Sequence, residues 1–395
     1  MTKQAVSNLS LHLRVMKESL GIGKTKPQDT KAHLDAAMKW LCLAQDKTMD
    51  DGVSQTYLIK SLRWANSYPE TTGYIVPSFY RYWALTGNED YRDRAKRMVD
   101  WECEIQLPEG GVLAGALGDS DKPTIFNTGQ VLFGWARAYE IEKDERYSEA
   151  GLKAALWLCD VMDEDGCWRK FGSPMTLSEG INVYNTRSAW GMVRIHEITG
   201  EQRVLDCAIK NLEWALTQAK PNGWLENNCL QNNEQPFLHT IAYAMRGFLE
   251  IGLYANREDF MHQAIKIGDA MLSQLPANGF MPGCFDKDWN PAVKWSCLTG
   301  NAQMAINWGR LYKITGEEKY REAVVRINAF TKTTQKLAGG GDEVGGIKGS
   351  HPVNGGYHPW QIPNWPAKFF ADALATEGYL SGEFKFSDEK DLLFS

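Results

Sequence analysis

The sequence predicts an all-α protein, a closed ring of six helical hairpins, from three phrases that return along its 395 residues. The first reads as a break between helices: "ALTGNEDY" (84–91), "EIEKDERY" (140–147), "EITGEQRV" (197–204), "YANREDF" (254–260) and "KITGEEKY" (313–320). Anchored on Gly87, Lys143, Gly200, Asn256 and Gly316, it steps by 56, 57, 56 and 60 residues. The second reads as a turn: "PEGGV" (108–112), "DEDGCW" (163–168), "PNGWL" (221–225), "ANGFM" (277–281) and "AGGGD" (338–342). The third is a threonine ahead of an apolar run, in "ETTGY" (70–74), "FNTGQ" (126–130), "YNTRS" (184–188), "LHTIA" (238–242) and "CLTGN" (297–301).

Each phrase has a physical reading. Gly or Asn at the break supplies a left-handed helix end, and the acidic residues after it complement the next helix N-terminus. The helix that follows is amphipathic: Tyr147, Gly151, Ala154, Leu158 and Val161 recur at helical spacing. It stops at DG, NG or GG pairs, which tolerate positive φ. A long polar and aromatic stretch comes next, and then the threonine, read as a hydroxyl cap on a more apolar helix. Outer helices are expected near residues 31, 90, 146, 201, 257 and 318, and inner ones near 72, 127, 185, 239, 299 and 364. Closure into a ring follows because an open stack would expose an apolar end.

This pattern resembles the (α/α)6 toroid superfamily of carbohydrate-active enzymes, over about residues 30–380. That group includes unsaturated-uronyl hydrolases, sugar 2-epimerases and the toroid domains of uronate lyases and epimerases. The resemblance implies an N-terminal arm over 1–29 and one toroid domain over 30–395. It specifies fold better than reaction.

Composition narrows the partners. Net charge is −6 with no dense Lys/Arg stripe, which argues against nucleic acid. No run approaches a membrane span, and the first twenty residues lack a signal peptide's apolar stretch. Eight cysteines without CxxC spacing read as reduced thiols in a cytoplasmic protein. Neither a Walker nor a Rossmann phrase occurs, and HExxH and Cys/His ligand sets are missing too, so neither cofactor nor metal is expected. Oligomeric state is not legible.

Residues that keep the fold recur in every repeat; those that differ face the mouth of the ring where the inner helices begin. Aligned on the threonines, the preceding residues are Thr71, Asn127, Asn185, His239 and Leu298, with Asn364 and Trp365 in the sixth repeat. His239 is the one imidazole of that set and suits proton transfer, although a histidine bonded at a helix start would look the same. Glycoside cleavage calls for two carboxyls, and the candidates are Glu226, Glu70 and Asp286. A helix dipole or a turn would equally account for Glu70 and Asp286. Arg187 and Lys348, with Arg169 and Lys170, would clamp an acidic group on a sugar; Arg187 paired to Glu226 would be structural instead. Rings of Tyr184, Trp224, Trp295, Tyr357 and Trp365 beside the amides of Asn127, Gln130, Asn301 and Asn364 suit a saccharide's C–H faces and hydroxyls. His12, His33 and His262 read as surface positions.

Three functions fit. The first is a glycosidase-type hydrolase on an acidic or amide-bearing oligosaccharide, with Glu226 and Glu70 as acid and base. The second is a uronate lyase or sugar epimerase, with His239 and Tyr184 or Tyr357 moving a proton. The third is a non-catalytic glycan-binding or scaffolding toroid in polysaccharide assembly.

Overall fold

Two hydrophobic patterns produce two concentric sets of helices. The computed structural model describes residues 7–173 and 181–386. In chain order its helices are α1 (Asn8–Ser19), α2 (Thr30–Asp46), α3 (Pro69–Thr86), α4 (Glu89–Glu104), α5 (Ile125–Glu142), α6 (Glu145–Asp160) and α7 (Thr186–Thr199). They continue as α8 (Gln202–Thr217), α9 (Leu238–Tyr254), α10 (Glu258–Ser273), α11 (Leu298–Thr315), α12 (Glu318–Thr334) and α13 (Asn364–Leu380). The expected arm and domain also include 1–6, 174–180 and 387–395, which lie outside the described residues.

Even-numbered helices from α2 to α12 bury one stripe; α8 buries little beyond Val204, Ala208, Asn211, Leu212, Trp214 and Ala215. Odd-numbered helices from α3 to α13 are buried on every side, as α9 is from Leu238 to Gly252. The ring follows from who packs on whom. α3 packs on α5, α5 on α7, α7 on α9, α9 on α11, α11 on α13, and α13 returns to α3. Each inner helix also packs on the outer helix that follows it, and α13 takes α2 from the other end of the chain. The ring therefore closes by joining first and last elements.

The predicted breaks are left-handed in the structure: φ is 69° at Gly87, 57° at Lys143, 74° at Gly200, 51° at Asn256 and 73° at Gly316. Every outer and inner start falls within a few residues of its expected position. The threonines act differently from the expectation. Thr72 and Thr128 sit one turn inside α3 and α5, where their hydroxyls donate to the carbonyls of Tyr68 (2.9 Å) and Thr124 (2.7 Å). Each also accepts the amide of a preceding loop, Val53 for Thr72 and Val112 for Thr128, both at 2.9 Å. They fasten loop to helix rather than cap it, because the exposed N–H groups lie a turn earlier.

Inner helices cross at glycines. A Cβ on Gly134 of α5 would stand 2.4 Å from the Gly73 carbonyl oxygen of α3, and one on Gly191 of α7 would stand 2.4 Å from that of Gly129. Gly134→Ala is therefore expected to destabilise the protein by about 1–3 kcal/mol through overpacking. Urea unfolding would show a lower midpoint at unchanged slope, while Gly340→Ala, with open space around it, should leave the midpoint in place.

The long loops gather where the inner helices begin. β1 (Thr56–Leu58), β2 (Arg63–Trp64), β3 (Ser296–Cys297), β4 (Ser350–His351) and β5 (Gln361–Pro363) are short staples between them. β1 pairs antiparallel with β2 and with β5, and Tyr57 stands opposite Ile362. The first and last loops are thus bound together above the helical closure.

Candidate active site

The ends of the inner helices and their loops line a cleft. Tyr68, Glu70 and Tyr74 enter from the start of α3, Phe126 from α5, and Tyr184 from the turn before α7. His239 and Tyr243 come from α9, Tyr357 and His358 from the loop before β5, and Trp365 from α13. Residues from five of the six repeats therefore meet at one place.

Glu70 is the one carboxyl lining this cleft among the described residues. It is half-buried, and the Tyr68 hydroxyl donates to its Oε2. Burial among rings is the largest influence and pushes its pKa to about 7, against the opposing pull of the Tyr68 hydrogen bond and nearby Arg187. At neutral pH it can hold a proton or release one.

Two imidazoles pack against the Tyr357 ring, with centroids 5.2 Å away for His239 and 4.7 Å for His358. Burial depresses both, to about 3 for His239 and about 4 for His358, so both are neutral at physiological pH. Each points Nδ1 at a glutamine carbonyl, Gln303 at 2.9 Å and Gln361 at 3.4 Å. With those carbonyls as acceptors, Nδ1 carries the proton and Nε2 keeps its lone pair. Trp365 Nε1 donates to the Tyr357 hydroxyl at 2.9 Å and fixes that ring.

Arg187 is buried in an aromatic box of Phe133, Trp190, Tyr243 and Phe369, 4.9–5.5 Å from the ring centres. Its Nε donates to Gln130 Oε1 at 3.0 Å. It backs the cleft through Tyr243 and is not among the lining residues.

No protein-family model matches the chain, and no curated protein matches it. Solved structures do match. A heparin-specific unsaturated glucuronyl hydrolase superposes with a TM-score of 0.73 at 15% identity, over 89% of this chain and 98% of its own. The cellobiose 2-epimerase of Bacillus thermoamylovorans B4167 gives 0.71 at 12%, over 88% and 98%. A variant of the α-1,6-mannanase GH76A of Salegentibacter sp. HEL1_6, held with α-1,6-mannotetrose, gives 0.64 at 11%, over 88% and 99%. The fold is an (α/α)6 toroid.

The toroid disperses the other sequence candidates. Glu226 and Asp286 line a second, more open groove with Trp224, Asn227 and Asp288. Glu226 is exposed and pairs with Lys220 at 2.8 Å, and Asp286 accepts the backbone amides of Asp288 (3.0 Å) and Asn290 (2.8 Å) in its own turn. Trp224 packs edge-on to Trp289, and Trp295 packs against Phe237 and Gly355. Lys348 is buried and paired with Glu18 of α1 at 2.7 Å. Arg169 pairs with Asp163 and Asp165.

Three amides brace the toroid. Asn127 Nδ2 donates to the Leu113 carbonyl (2.7 Å), Asn364 Nδ2 donates to Thr71 Oγ1 (2.7 Å), and Asn301 Oδ1 accepts from Ser296 (3.3 Å). His33, expected at the surface, is fully buried; its Nδ1 bonds Gln335 Oε1 at 2.5 Å, and its Nε2 accepts the Gln28 amide. Tyr243 and Gln303 were not singled out because both sit one turn inside apolar helices. Tyr243 is four residues after His239, and that spacing was the available signal. Among the described residues no group of three His, Cys, Asp or Glu side chains could hold a metal ion.

Proposed function

We propose that the cleft is the active site of a saccharide-converting enzyme that moves a proton on the sugar, an epimerase or isomerase. The observation that carries this reading is one cleft lined by a carboxyl titrating near neutrality and by two imidazoles held neutral. Proton removal beside a sugar carbonyl needs an acceptor for the carbon-bound proton and a donor for the carbonyl oxygen. Nε2 of His239 is the acceptor, protonated Glu70 is the donor, and the product of that step is an enediol. The imidazolium so formed on His239 then returns its proton to carbon. It does so at the neighbouring carbon for isomerisation, or to the opposite face of the same carbon, once the enediol has turned over, for epimerisation. The Glu70 carboxylate takes back a hydroxyl proton as the carbonyl re-forms. Neutral His358 accepts a hydrogen bond from a sugar hydroxyl at Nε2. The rings of Tyr68, Tyr184, Tyr357 and Trp365 hold the sugar's C–H face. The lining of imidazole, hydroxyl, amide and aromatic groups suits a neutral mono- or disaccharide. Two structural neighbours, a cellobiose 2-epimerase and a D-mannose isomerase, are consistent with it.

Hydrolysis is the second reading, favoured by Glu70 itself: a carboxyl near neutrality is what a general acid requires. Incubation with reducing mono- and disaccharides in D2O separates the two. The proposal expects solvent deuterium on the sugar carbon beside the carbonyl, a new epimer or ketose by NMR, and an unchanged rate for Glu226→Gln. Cleaved glycosidic bonds without deuterium on carbon would overturn it.

A further inference from the structure

Helix α1 has two opposite faces, and the toroid uses one. On the inner face Leu11 is buried, Arg14 pairs with Glu343 at 3.0 Å, and Glu18 pairs with Lys348 at 2.7 Å while accepting the Val353 amide at 2.7 Å. On the outer face Leu9, Leu13, Met16 and Leu20 recur at spacings of 4, 3 and 4, so they fall within roughly 60° of arc. They are 41–71% exposed, and Ile22 just beyond the helix is 55% exposed. Lys17 on the flank of the stripe and Lys24 and Lys26 beyond it are exposed too. The sole acidic residue between 7 and 28 is Glu18, and it is turned inward.

We propose that this outer face docks on an anionic lipid bilayer, with α1 lying in the plane of the surface. The chemistry is that of interfacial helices: apolar side chains entering the acyl boundary and lysines meeting negative headgroups. Charge decides against a second copy as the occupant. Two α1 helices face to face would bring Lys17, Lys24 and Lys26 of both chains together with no exposed acid on the segment to receive them. Size agrees, because a stable interface needs about 800 Å² per partner and a seam of two heptads supplies far less. The rest of the chain is acidic, so the cationic strip also selects which side of the molecule approaches a negative surface. This inference does not rest on the proposed reaction.

The test is flotation of the full chain with phosphatidylcholine vesicles containing about a third phosphatidylglycerol. Wild type is expected to float, to float less in high salt, and to ignore pure phosphatidylcholine. Leu13→Ser with Leu20→Ser should weaken binding about 10-fold or more, and Lys17→Glu should weaken it as well. All three side chains point away from the toroid, so the urea midpoint should stay where it was. Wild type that fails to float would overturn the proposal, as would a double variant that floats as well as wild type. A dimer in light scattering that the double variant dissolves, without vesicle binding, would instead assign the face to a second copy.

Discussion

Glu70→Gln is expected to lower turnover by about 10²–10⁴-fold and at the same time to stabilise the protein above pH 7. The amide keeps the shape of the carboxyl and still accepts from Tyr68, but it cannot deliver a proton. The stability side follows from the direction of the shift. A carboxyl raised from 4.5 to about 7 binds more protons in the folded protein than in the unfolded chain between those values. Folding stability therefore falls as pH rises through that window, by at most about 3 kcal/mol for a group this shielded. Glutamine has no such penalty. Urea unfolding at pH 5 and pH 8 should show the variant gaining on wild type at the higher pH. Wild-type activity should decline as pH rises through about 7, when the proton on Glu70 is lost. A variant with unchanged turnover, or a stability difference that is the same at both pH values, would remove Glu70 from the centre of the mechanism.

The ring was legible because its signals are local. A left-handed residue such as Gly87 or Gly316, an acidic first turn and a DG or NG stop are each decided within a few positions, and their repetition supplies the topology. Part of the cleft was legible for the same reason: Glu70, Tyr184, His239 and Trp365 stand at or beside an inner-helix start, and the fold carries every such start to one mouth. What was not legible is pairing across the chain. Lys348 reads as a free cation until Glu18, on α1, neutralises it from the far end of the sequence. His33 reads as a surface residue until Gln335 closes over it. Glu226 aligns with mouth positions by counting from a turn, but the loop after the turn bends toward Lys220, and counting cannot follow a loop. Aromatic residues were divided in the same way: Tyr357 and Trp365 reach the cleft, while Trp295 fills the space between loops.

His239→Ala is the variant that separates proton transfer from hydrolysis. If Nε2 of His239 is the acceptor, its removal should slow deuterium exchange into the sugar by about 10²–10⁴-fold, as losing a positioned acid or base does. A hydrolase that relies on Glu70 would show a milder effect, expressed mainly as weaker substrate binding. Gln303→Leu should act through His239 alone: with no carbonyl to hold the Nδ1 proton, the imidazole samples both tautomers and presents the wrong one part of the time. The loss there should be smaller than for His239→Ala and should fall on kcat more than on KM. Burial keeps the His239 pKa near 3, so its own titration should leave no inflection in the rate between pH 5 and 9, where the titration of Glu70 would be the visible one. Exogenous imidazole gives an independent readout, because the cavity left by alanine opens onto the cleft and a small neutral base can occupy it. Partial recovery of exchange in His239→Ala, with none in Glu70→Gln, would identify a missing proton acceptor rather than a disturbed fold. Wild-type exchange in His239→Ala would end the proton-transfer reading.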